Sequence, residues 1–85
     1  MTRPVAWLVI EDGWAVHSAD GAHVGRVEEV LGVPEDDIFN GLVVATGFFS
    51  ARYVPAEHVR EILEGRVDLD LTKDAVERLP DRPPV

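Results

Sequence analysis

The chain contains no cysteine, which excludes disulfides, thiolate metal sites and a cysteine nucleophile and leaves the redox compartment open. Lysine is almost missing: Lys73 stands alone beside seven scattered arginines, so there is no basic stripe of the kind that tracks a nucleic acid. Gly41, Gly47 and Gly65 lie in no glycine-rich run joining a strand to a helix, so no phosphate loop is present. The longest apolar run, Val5 to Ile10, is about a third of a membrane span. It lacks the basic flank and small-residue cleavage site of a secretory signal, and the expectation is a cytoplasmic protein without membrane insertion.

Acidic residues outnumber Lys and Arg by 16 to 8, giving a formal net charge of −8. Such a surface repels phosphate backbones, which argues against direct DNA binding, and its simplest use is solubility. With 85 residues there is material for one domain. A chain this short buries only roughly 60–65% of the surface exposed on unfolding, so a deep substrate cavity would compete with the core.

Ser18-Ala19-Asp20-Gly21-Ala22 leads into the apolar, glycine-interrupted segment from His23 to Leu31. Asp-Gly suits a tight turn and Gly25 inside a strand suggests a bulge or corner, so Trp14 to His17 and His23 to Leu31 form a hairpin. Val24, Val27, Val30 and Leu31 also fit one face of a helix. The bulged strand is preferred because Val dominates and Gly25 and Gly32 bracket the segment. Pro34 to Asp37 reads as a polar loop. Ile38 to Thr46, with the continuous run Leu42-Val43-Val44-Ala45, reads as a central strand covered on both faces. Arg52-Tyr53-Val54 is a short strand stopped by Pro55. Ala56 to Val59 is a turn, Arg60 to Leu63 leads into the Glu64-Gly65 turn, and Arg66 to Leu71 alternates with period two. Thr72 caps a short helix with Val76 and Leu79 on one face, ended by Pro80.

The fold class expected is all-β: a small, strongly bent antiparallel barrel of about six strands with a short C-terminal helix. Residues 1–12 form an N-terminal strand or arm, 13–79 the barrel, and 80–85 a flexible Pro-rich tail. Taken in order, Asp20-Gly21, Val24-Gly25-Arg26-Val27, Leu42-Val43-Val44, Arg52-Tyr53-Val54-Pro55 and Val67-Asp68-Leu69 resemble a PRC-barrel domain over Gly13 to Leu79. That fold is named after the cytoplasmic domain of the photosynthetic reaction centre H subunit, and a related barrel forms the C-terminal half of the ribosome maturation factor. The resemblance implies a docking module. The membrane helix of the H subunit and the N-terminal domain of the maturation factor have no counterpart here, so membrane and ribosome roles are not expected to transfer.

The residues offer three chemical readings. His17, His23 and His58 with Asp20 and Glu57 hold metal-ligating types but no zinc-type spacing. A three-residue loop, Ala19 to Gly21, sets His17 opposite His23, whereas a two-residue Asp20-Gly21 loop puts them on opposite faces. Ser18, His17 and Asp20 contain the residue types of a triad, yet the turn explains Ser18 and Asp20 without chemistry. Adjacent carboxylates at Glu28-Glu29 and Asp36-Asp37 do not make an acid-base pair. No enzyme, cofactor or metal is expected.

The apolar residues point elsewhere. Phe48 and Phe49 are adjacent in a connection, where an extended backbone would turn one ring inward and one outward. Trp7 lies in an arm that needs burial, either on its own barrel or on a neighbour. The expected function is therefore protein-protein interaction, with self-association into a homodimer or larger homo-oligomer. Trp7, Phe48, Phe49 and Tyr53 would form the apolar centre, and Arg26, Arg52 or Arg60 with the carboxylates the polar rim. The alternatives are an RNA-processing or ribosome-linked accessory factor, by analogy with the maturation factor, and a binder of small apolar ligands in the barrel interior.

Overall fold

The computed structural model describes residues 6–81. The first five residues of the N-terminal arm and the last four of the Pro-rich tail lie outside the described residues. The first hairpin joins β1 (Ala15–His17) to β2 (His23–Val33). Gly21 turns at φ +82°, a left-handed conformation that glycine adopts without a Cβ penalty. The Ser18 N–H donates to the Ala22 carbonyl at 2.8 Å. The loop is thus the three-residue form, and His17 pairs with His23.

β2 runs over 11 residues and pairs on its other side with β3 (Ile38–Ala45), which in turn pairs with β4 (Ala51–Pro55). A bulge separates Val27, opposite Val44, from Glu29, opposite Val43. The extra residue, Glu28, restores Val30 to the face of Val27, opposite Leu42. The i, i+3 spacing that imitates a helix in the sequence is the signature of this bulge in a strand. Gly25 has a separate reason to be glycine, since a Cβ there would collide with the Ala45 carbonyl of the neighbouring strand.

After β4 the chain passes through one 3-10 turn (Ala56–His58) into the hairpin β5 (Val59–Leu63) and β6 (Arg66–Leu69). β6 then lies beside β1 in the same direction, pairing Val16 with Val67. The six strands form one sheet in the order β4-β3-β2-β1-β6-β5. The sheet is therefore mixed where the sequence suggested a purely antiparallel one, because residue alternation identifies a strand and is silent on the direction of its partner. It is also open, with β4 and β5 at its edges and no ladder joining them among the described residues. The Tyr53 N–H on β4 donates to the Pro80 carbonyl at 2.7 Å. β5 carries exposed Arg60 and Glu61 beside a bulge, a combination that discourages edge pairing.

Val16, Val27, Leu42, Val44, Val54, Val67 and Leu69 make the core. α1 (Lys73–Glu77) adds the fully buried Val76, and its first turn is capped by Thr72, whose Oγ1 accepts from the Ala75 N–H at 3.2 Å. The segment expected as a strand or arm instead forms a single 3-10 turn, Trp7–Val9, followed by buried Ile10. The Trp7 ring stacks on Phe39 at 5.2 Å and 11°, over Gly32, and its Nε1 donates to Asp37 at 2.7 Å. The turn puts the one large ring against the half-buried end of the core and leaves Leu8 and Val9 exposed.

Candidate functional site

Leu8, Val9, Val33 and Ile38 are partly exposed, but among the described residues the β3–β4 connection carries the two most exposed large apolar side chains. Ala45 and Ala51 make the last ladder pair, and the Thr46 N–H closes the loop onto the Ser50 carbonyl at 3.0 Å. Phe48 and Phe49 sit at the tip of this loop and are fully exposed, at 100% and 102%. The expectation that one ring would turn inward fails because the tip is bent, so the alternation of an extended strand does not apply. Their rings lie 6.3 Å apart with a 42° tilt.

The tip helps line an open groove of about 1210 Å³. Val24, Ala45 and Val76 contribute its apolar lining, from β2, the end of β3 and α1. Arg26, Arg52 and Lys73 with Glu28 and Glu77 supply the charge. They come from three separate segments: the β2-β3-β4 ladder brings Arg26 and Glu28 toward Arg52, and α1, packed against β4, adds Lys73 and Glu77. The groove is the feature that sequence reasoning missed, and the lone lysine was its one available hint.

The other residues singled out in the sequence are occupied within the chain. Trp7 is held on Phe39, Gly32 and Asp37 as described. Tyr53 is 8% exposed, and its hydroxyl donates to the Asn40 carbonyl at 2.9 Å. It supports β3 and offers no apolar surface. Arg52 is half-buried, with Nε on the Glu77 carbonyl at 3.2 Å and Nη1 on the Ala51 carbonyl at 3.0 Å, which ties α1 to β4. Arg26 is exposed in the groove, whereas Arg60 lines a separate cleft of about 350 Å³ with Arg66 and Asp68. In that cleft Arg66 Nε lies 3.0 Å from the Asp68 carboxylate, which is nearly buried.

His17 and His23 meet edge to face with ring centroids 5.6 Å apart. His58 is elsewhere, its Nδ1 3.0 Å from Asp70 Oδ1. Among the described residues no group of three or more His, Asp or Glu side chains could hold a metal ion. The Ser18 hydroxyl bonds Asp20 directly and accepts from the Ala22 N–H at 3.2 Å. With the carboxylate on the hydroxyl and His17 turned to His23, these three residues form a turn lock rather than a nucleophile-base-carboxylate relay. The Ser18 hydroxyl is the chief cause holding the Asp20 carboxyl below its ordinary value, helped by Asp20's own N–H and by the N–H and charge of Lys73.

Among the described residues no helix is long and apolar enough to cross a membrane. No family model matches the chain, and no curated protein matches it either.

Proposed function

We propose that the chain is a non-catalytic docking module of PRC-barrel type, working in the cytoplasm, whose anchor is the Phe48–Phe49 tip. The single observation that carries this reading is the full exposure of two adjacent phenylalanines on a hairpin that the fold does not need them to close. Two such rings present about 300–500 Å² of apolar surface, the size of patch that on small proteins marks an interaction site. At about 1.5–3 kcal/mol per buried ring their burial contributes about 3–6 kcal/mol before association costs, which themselves run to roughly 4–15 kcal/mol. The tip can therefore dominate a binding energy while contributing almost nothing to folding. Arg26 and Lys73 beside it provide the polar rim.

The barrel assignment is supported by the order in which the resembling segments fall along the sheet. Val24 to Val27 lies on β2, Leu42 to Val44 on β3, Arg52 to Pro55 on β4 and Val67 to Leu69 on β6. The parallel β1–β6 pair joins the later hairpin to the earlier strands in one sheet.

A photo-crosslinking residue placed at Phe48 in the native cell tests the reading. Protein adducts that disappear in the Phe49→Ser variant, at an unchanged melting temperature, are expected. Equal adduct patterns in both variants, or a large loss of stability on substitution, would overturn it.

A further inference from the structure

The cleft between β1, β6 and β5 holds a positive charge that no side chain around it balances. We infer that it binds an oxyanion, a carboxylate or a phosphoryl group, through the guanidiniums of Arg60 and Arg66. At about 350 Å³ it lies at the small end of ligand sites. It shares no lining residue with the groove beside the Phe48–Phe49 tip and stands apart from the docking reading. Strand register assembles it. β1 and β6 set His17 beside Asp68, and β5 meets β6 through a bulge that has Val59 opposite Leu69 and Glu61 opposite Asp68. Arg60 is the residue between them, left without a ladder partner, and a bulge of this kind re-aims the side chain it carries. Arg60 lines the cleft while Glu61 stays out of it. Arg66, two residues before Asp68 on β6, faces the same side.

The two arginines share one carboxylate. Arg66 Nη2 donates to Asp68 Oδ2 at 3.3 Å, and Nε lies 3.0 Å from Oδ1, buried and out of line for a hydrogen bond. The Asp68 side chain is 11% exposed, so its charge is committed to Arg66 and holds that guanidinium in place. Arg60 makes no side-chain hydrogen bond or ion pair among the described residues. Arg60 and Arg66 against Asp68 leave the cleft a surplus of positive charge in a chain whose net charge is −8. His17 and Ser18 add polar wall, and no large apolar side chain lines the cleft, so an apolar ligand has nothing to pack against. An oxyanion fits on each count. A guanidinium presents its N–H groups as a planar fork that matches two oxygens of a carboxylate or phosphoryl group. A ligand beside a nearly buried ion pair is also screened less than one on open surface.

The test is an amide NMR titration of the whole chain with inorganic phosphate and, separately, with acetate, each against sodium chloride at the same ionic strength and pH. Saturable shifts of the His17, Ser18, Arg60 and Arg66 signals are expected, with those of Phe48 and Phe49 unmoved. Arg60→Gln should raise the dissociation constant at least about 10-fold, the worth of a hydrogen bond between charged groups. Arg78→Gln removes the same charge at an exposed position outside the cleft and should leave the constant unchanged. The melting temperatures of both variants serve as the folding control. Tighter binding of phosphate assigns a phosphoryl group to the cleft, and tighter binding of acetate a carboxylate. Shifts that chloride reproduces, that fail to saturate, or that weaken equally in the two variants would overturn the site.

Discussion

Replacing Trp7 by Ala removes a side chain that the structure uses inside the molecule and that the sequence left open to use between molecules. The ring stacks on Phe39, lies over Gly32 and donates to Asp37. Full burial would put the loss at about 3–5 kcal/mol. Trp7 is only half-buried, so about 2 kcal/mol is the expected cost. For a domain of this size that lowers the melting temperature by about 8–16 °C. Trp7→Phe keeps the stacking and loses the indole N–H, and should cost no more than about 1 kcal/mol, the net contribution of a typical hydrogen bond. Thermal unfolding followed by circular dichroism measures both, and light scattering on the same samples measures association. A Trp7→Ala chain with an unchanged melting temperature and lost self-association would refute the intrachain role and return Trp7 to the interface.

Further outcomes follow from the same packing. Gly25→Ala forces a Cβ into the Ala45 carbonyl and against Val44, and urea unfolding should show a loss of about 1–3 kcal/mol from overpacking. Asp20 is held below its ordinary pKa, so its contribution to stability is present above the unfolded-state value and disappears as pH falls through the lower folded-state value. Asp20→Asn should therefore be less stable than the parent near neutrality and converge with it in acid; parallel stability curves at all pH values would contradict the turn lock. Thr72→Ala deletes the cap on α1 and should cost about 1 kcal/mol in the same unfolding assay, with no effect on association.

Local signals in the sequence were sufficient wherever one residue decides the geometry. Asp20-Gly21 marks the turn and Thr72 the helix start, whereas Gly25 reads as a bulge or corner and its contact with the Ala45 carbonyl of the neighbouring strand emerges only from the fold. Val24, Val27 and Val30 were ambiguous because a bulge at Glu28 produces the same spacing as a helical turn. The parallel β1–β6 pair was invisible, since it depends on where β6 returns in space and not on the pattern within β6. The place of Trp7 is open in the sequence for a related reason: its partners Gly32, Asp37 and Phe39 are distant in sequence, and an apolar run alone does not distinguish a strand from a single 3-10 turn. Phe48 and Phe49 were picked out by their type and by the adjacent Gly47. Their joint exposure was not, because it follows from the bend at the tip. The groove beside them requires α1 to pack against β4, a long-range event with no local signature.

The chain contains only three phenylalanines, Phe39, Phe48 and Phe49, so fluorine NMR of the fluorophenylalanine-labelled protein reports the tip and the Trp7 stack separately. On adding clarified lysate of the native cell, the Phe48 and Phe49 signals should shift and broaden together as they leave water, while the Phe39 signal stays where it is. Tip signals that remain those of solvated rings throughout, or a Phe39 signal that moves in their place, would contradict docking through the Phe48–Phe49 tip.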